Sequence, residues 1–173
     1  DEWKVMALSA YANAADTRIY YQKMRKMVIL HENEVEFELN LSYFNHFNVE
    51  LPNLYSPTFC KLLGEPRKKD DEFSERHYAI AAAAQMVFEE AMDNMLVWLQ
   101  KRSGERNICL AGGCIMNSVY NGKVLKNTSF EDIYISPCPD DSGNSLGGAF
   151  FFWNRILKKD ERFSKTHIEQ VLD

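Results

Sequence analysis

The chain is predicted to adopt an α/β fold, and three features of its second half carry that prediction. Two short apolar runs, Asn107-Ile108-Cys109-Leu110-Ala111 and Asp132-Ile133-Tyr134-Ile135-Ser136, stop at Gly112-Gly113 and at Pro137, as strands do. Each is followed by a segment of helical character, Cys114 to Lys126 and Asp141 to Leu157. Strands and helices alternating at this spacing imply parallel pairing with right-handed crossovers, a sheet flanked by helices.

Upstream, residues 16–30 set Ile19, Tyr20, Met24, Met27 and Val28 at near-helical spacing among basic residues, which predicts a surface helix. Glu34-Val35-Glu36-Phe37-Glu38-Leu39 alternates charged and apolar side chains and predicts a half-buried strand. Residues 42–75, punctuated by Pro52, Pro57 and Pro66, read as irregular except for a helical piece near Thr58–Leu63. The clearest element is a helix opened by Ser74-x-x-His77 and continuing from Ala79 to Lys101 without Gly or Pro. Its alanines at 81–84 favour helix and close packing. Ile80, Val87, Met95 and Leu99, with Ala91 between, mark its apolar stripe, and Glu89, Glu90 and Asp93 lie off it. Gly104, after Ser103, supplies a left-handed cap. Residues 158–173 are highly charged and read as a linker or the start of a following region.

A hydrophobic fraction of 46% over 173 residues is that of a globular chain and excludes disorder. A net charge of -5 gives no global attraction to nucleic acid or to an anionic membrane. Arg67-Lys68-Lys69 runs straight into Asp70-Asp71-Glu72 and reads as a solvated loop. No apolar run approaches the roughly 18 residues a membrane span needs. No secretory-leader pattern is read in the residues given, and a start at Asp1 without Met is expected of a piece of a longer protein, whose true N-terminus and targeting information are then not visible. Cys60, Cys109, Cys114 and Cys138 form no CxxC pair, so reduced cysteines in a cytoplasmic protein are expected.

Chemistry concentrates in two loops where a strand gives way to a helix, the place where open parallel sheets bind ligands. In Ala111-Gly112-Gly113-Cys114 the glycines let backbone approach a ligand closely, and N–H groups at the helix start favour phosphate. Asn117, one turn on, is placed to reach a ribose hydroxyl or a phosphate. A tight turn with no ligand accounts for Gly-Gly equally well. In the second loop, Pro139-Asp140-Asp141-Ser142-Gly143-Asn144-Ser145, adjacent aspartates suit a divalent cation that also holds phosphates, or simply a helix N-cap. His31, His46, His77 and His167 share no metal-ligand spacing. His77 reads as a capping or packing residue, and His46, between Phe44 and Phe47, as part of a packed loop. Cys114 sits where a helix start can activate a thiol, but an inert buried cysteine is the simpler reading.

These motifs resemble a known family, the NodU/CmcH-type O-carbamoyltransferases, and more distantly the enzymes that make threonylcarbamoyl-adenosine in tRNA. The family's "LAGGVALN…NGK/R" corresponds to LAGGCIMNSVYNGKVL, and its "P…GDAGGALGAA" to PCPDDSGNSLGGAF. EWKVMALSAY is similar to its "GE-x-KVMGLAPYG", with Ala7, Ser9, Ala10 and Ala12 in place of Gly, Ala, Pro and Gly. LLGEPR and HYAIAAAAQMVFEEAM are similar to its "FG-x-PR" and "H-x-DIAAS-x-Q". The matches keep the family's order from Asp1 to about Trp153.

The resemblance implies the second lobe of an actin-like ATPase domain of the hexokinase, Hsp70 and actin superfamily, over residues 1–157, with a mixed sheet and flanking helices. It implies ATP and a divalent metal, iron foremost, as cofactors, with carbamoyl phosphate as donor through a carbamoyl-adenylate. The acceptor would be a hydroxyl-bearing small molecule such as a sugar, an antibiotic or a Nod factor. Carried over by position, Gly112, Gly113, Asn117 and Gly143 would serve the nucleotide and Asp141 the metal. The family's metal-binding histidines and part of its carbamoyl-phosphate site would lie outside this stretch, which is then expected to be inactive alone. The open half-cleft would favour self-association, for instance as a homodimer. A nucleotide-binding module without transfer activity, and a small-molecule kinase of the same fold, are the alternatives.

Overall fold

A computed structural model describes residues 2–31, 35–48 and 53–159. Glu34, Pro52, His167 and most of the charged tail fall outside the described residues. These residues group into two compact units, one drawn from Asp1–Cys109 and Asn117–Tyr134, the other from Leu110–Met116 and Ile135–Asp173. The fold is mixed α and β, but its strands form two separate two-stranded sheets among the described residues, where a single sheet was expected.

The first unit is organised on one long helix. Helix α1 (Glu2–Leu8) runs into a 3-10 turn at Ser9–Tyr11, and helix α2 (Ala14–Met24) follows. Asn13 caps α2, its Oδ1 accepting the Asp16 N–H at 2.9 Å. The expected helix over residues 16–30 ends at Met24; a tight turn through Arg25 and Met27 leads into strand β1 (Val28–Leu30). β1 pairs antiparallel with β2 (Phe37–Leu39), Ile29 opposite Glu38. Its β-branched Val28 and Ile29 suit a strand, and near-helical spacing over so few residues could not tell the two apart. β2 has no buried residue, so alternation there marks an exposed ribbon and not the expected half-buried strand.

Residues 40–48 and 53–56 contribute a 3-10 turn at Leu41–Tyr43 and an isolated bridge between Phe44 and Tyr55. Ser56 then caps helix α3 (Pro57–Leu63), whose Pro at the first position needs no N–H partner. Helix α4 (Glu75–Ser103) starts at Ser74, whose N–H donates to His77 Nδ1 at 3.0 Å, and ends at Gly104 with φ of 70°. The capping reading of His77 and the left-handed reading of Gly104 both stand. Met24, Met27, Leu63, Ala83 and Val87 form the core between α2, α3 and one face of α4, with Tyr21, Phe44 and Phe59 packed around it. Leu99, expected on the apolar stripe, is exposed.

Strands β3 (Asn107–Leu110) and β4 (Asp132–Ile135) hydrogen-bond to each other. Only Ile108 of β3 is buried, and Cys109 is exposed, contrary to the reading of this run as a buried strand. The single helix expected from Cys114 to Lys126 is three pieces: a 3-10 turn at Gly113–Met116, helix α5 (Ser118–Asn121) and helix α6 (Val124–Asn127). Asn117 breaks it by capping α5, and Gly122 by closing it. In the second unit a 3-10 turn at Asp141–Gly143 leads into helix α7 (Asn144–Phe151) and a π-helical turn at Phe152–Ile156.

Candidate functional site

Four of the five predicted site residues lie in the second unit. Gly112 has φ of 107°, a conformation that side-chain-bearing residues rarely adopt. Its N–H donates to the Pro139 carbonyl at 2.6 Å, which fastens the Gly-Gly loop to the loop that carries the aspartates. Gly113 is exposed, and a Cβ built there meets nothing within 4 Å, so the loop offers open backbone on that side. Gly143 is glycine for another reason: a Cβ there would lie 2.1 Å from the Cys138 carbonyl oxygen. Gly143 thus lets the aspartate turn close against Cys138.

Asp140 and Asp141 divide their tasks. Asp140 Oδ1 accepts the Ser142 hydroxyl at 2.6 Å, and its carbonyl accepts the Gly143 N–H at 3.0 Å. Neither carboxylate caps the turn or α7 with a side-chain hydrogen bond. Asp141 is exposed, its carboxylate directed to no hydrogen-bonding partner among the described residues. A divalent cation held by protein needs several donors. No group of three His, Cys, Asp or Glu side chains converges among the described residues, so these by themselves form no complete cation site. Cys114, read as buried, is exposed, and all four cysteines are free thiols.

Asn117 belongs to the first unit and faces inward. Its Oδ1 accepts the Tyr120 N–H at 3.0 Å, capping α5, and the Gln85 Nε2–H at 3.1 Å. Its Nδ2 donates to Gln85 Oε1 at 2.8 Å. The reciprocal amide pair continues into α4: Gln85 Nε2 also donates to Glu89 Oε1 at 2.8 Å, and Lys123 Nζ donates to both Glu89 oxygens at 2.6 and 2.8 Å. One turn on, Asp93 accepts the Tyr120 hydroxyl at 2.9 Å and the Asn127 amide at 2.8 Å. Tyr120 is fully buried and packs edge-on against Phe88, ring centroids 5.7 Å apart. Burial first, then the hydrogen bond to and the charge of the Asp93 carboxylate, push the Tyr120 phenol far above its ordinary range.

From the sequence Glu89 was read only as lying off the apolar stripe, and Gln85 and Lys123 only as members of the HYAIAAAAQ and NSVYNGK segments. A glutamine inside an alanine-rich apolar helical run was the available signal, because a buried amide must find partners.

Comparison with known proteins places these loops in a family. Residues 1–150 match the family described as Carbamoyltransferase N-terminus. Nodulation protein NolNO of Sinorhizobium fredii is 27% identical over 156 residues, 90% of this chain and 21% of that protein. Nodulation protein NolO of Bradyrhizobium diazoefficiens is 29% identical over 149 residues, 86% of this chain and 24% of that protein. Nodulation protein U of Azorhizobium caulinodans is 40% identical over 48 residues, 28% of this chain and 9% of that protein. The chain spans about a quarter of the length of the curated relatives that match most of it.

Proposed function

The chain belongs to the carbamoyltransferase N-terminal family, and from that premise we propose that it forms the second lobe of an actin-like ATP-binding domain in an O-carbamoyltransferase. In this reading the protein uses ATP and carbamoyl phosphate to make a carbamoyl-adenylate and passes the carbamoyl group to a hydroxyl of a small molecule. The observation that carries it is the 2.6 Å bond from the Gly112 N–H to the Pro139 carbonyl, which ties an open glycine loop to the loop bearing an unengaged carboxylate. Phosphate binding wants exposed backbone of the Gly112-Gly113 kind, and a phosphate-bound cation wants a carboxylate nearby. Gly143 supports that site by letting its turn close, and Asp141 is one ligand of a divalent metal, iron in this proposal. Asn117 is assigned to the nucleotide by its place in the family's motif. The remaining ligands come from elsewhere in the protein. The bound metal would offset phosphate charge.

The test is transfer of labelled carbamoyl from carbamoyl phosphate to a hydroxyl acceptor, with ATP, by the protein and its Asp141→Ala variant. Loss of at least about 100-fold, with reduced metal content, is expected for a cation ligand of this kind. Unchanged turnover at normal metal content overturns the assignment. ATP binding without consumption of carbamoyl phosphate would favour a nucleotide module without transfer activity, and a phosphorylated acceptor would favour a kinase.

A further inference from the structure

Gln85 lies in the middle of α4, 8% exposed, with its amide engaged at both ends. The two ends of an amide are alike in shape, so the chemistry of the other partners decides which way each points. Both ends of this chain of bonds run one way. Glu89, held by Lys123, can only accept, so Gln85 must turn its NH2 toward Glu89. The Tyr120 backbone N–H can only donate, so Asn117 must present its oxygen there. Between them, Gln85 and Asn117 have a single mutually consistent arrangement.

That arrangement fixes what Asn117 has left. Its oxygen takes two N–H groups and its nitrogen gives one hydrogen to Gln85. One N–H remains and no lone pair does. We propose that Gln85 is a positioning residue: backed by Glu89 and Lys123, it holds the Asn117 amide so that a bound nucleotide meets a donor there and never an acceptor. The ligand atom that fits is an acceptor oxygen, on a phosphate or a ribose. The ligand half of this inference rests on the nucleotide reading above; the orientation half stands on the hydrogen bonds alone.

The experiment is an ATP titration of the protein and its variants, with NMR of the Asn117 side-chain amide and of Tyr120 N–H exchange. Gln85→Leu is expected to raise the Kd for ATP about tenfold, the effect of one well-placed hydrogen bond. In an Asn117→Ala background the same substitution should add nothing, since Gln85 acts through Asn117. Gln85→Glu, which sets two carboxylates against each other, should weaken binding as well. Adding Glu89→Gln restores the bond between positions 85 and 89 but not the N–H that Asn117 Oδ1 accepts from Gln85, so the Kd should stay raised. A purely structural role, in which Gln85 matters only to the stability of α4, would lower the melting temperature without this non-additivity through Asn117. Additive effects, or a Kd for Gln85→Leu within twofold of wild type, overturn the proposal. If Asn117→Ala binds ATP normally while Gly113→Val does not, the proposal fails and the nucleotide reading survives. If the wild-type protein binds no ATP, the nucleotide reading fails. NMR then decides the orientation half: Gln85→Leu must speed Tyr120 exchange and mobilise the Asn117 amide, and unchanged signals refute it.

Discussion

At Gly112 the φ of 107° excludes an ordinary side chain by conformation, at Gly143 a backbone oxygen 2.1 Å from the missing Cβ excludes it by volume, and at Gly113 nothing excludes it at all. The three glycines therefore respond differently to alanine. Gly143→Ala must push the Cys138 carbonyl away and is expected to cost about 2 kcal/mol or more, as overpacking against unyielding backbone does. Gly112→Ala pays for a left-handed residue, about 1–2 kcal/mol. Gly113→Ala should change stability by less than about 0.5 kcal/mol, the range of an unconstrained surface change, yet weaken ATP binding by filling the approach to the loop. Denaturant melts of the three variants give the order directly. Equal destabilisation by all three would mean that Gly113 is a turn residue like the others. Composition and spacing could flag Gly-Gly, but they could not separate these roles, because the oxygen that makes Gly143 necessary belongs to Cys138, across the turn.

Helix α4 was legible in the sequence as an element, but only one of its two packing faces was. Its start, its length and its left-handed end follow from Ser74, the alanines and Gly104, all of them local signals. Apolar periodicity gave it one stripe. It has two working faces: Ala83 and Val87 pack toward α2, and Gln85, Glu89 and Asp93 hold the segment from Asn117 to Asn127. The second face is polar, so a count of apolar side chains passes over it, and its partners lie 27 to 34 residues away in sequence. Glu90, expected off the stripe, takes the Tyr21 hydroxyl and an Arg25 guanidinium N–H, the latter at 2.8 Å. The bond from Tyr120 to Asp93 gives this docking a measurable signature. Tyr120→Phe should destabilise the protein by about 1–2 kcal/mol near neutral pH, leaving the partly buried Asp93 short of a donor. The folded-state pKa of Tyr120 is raised above its unfolded value near 10, so its contribution is whole below about pH 10. Above that, the unfolded chain ionises first and the contribution is lost. The stability gap between wild type and Tyr120→Phe should therefore shrink above about pH 10 in paired urea melts. A gap that is flat through pH 11 would show that the phenol is not held in its neutral form.

Across the whole chain, apolar surface is unevenly placed. The first unit has a core around Met24, Met27 and Val87, whereas α7 and the π-helical turn after it bury no residue. From Leu146 to Leu157 the large apolar side chains are all open to solvent, with Phe151 61% exposed and Ile156 56%. No helix among the described residues is long and apolar enough to cross a membrane. Isolated apolar residues on a surface need no partner, but a contiguous aromatic run of this length drives association. The 173-residue chain alone is therefore expected to bind a hydrophobic dye and to sediment as concentration-dependent oligomers. Phe151→Ser with Ile156→Ser should lower dye binding severalfold and shift the chain toward monomer, with little loss of stability, because neither side chain packs in a core. At Gly147 and Gly148 a Cβ would meet nothing within 4 Å among the described residues, so α7 is not packed against other chain on that side. A monomer at all concentrations with weak dye binding, or a large fall in melting temperature in the double variant, would show that this surface is already covered.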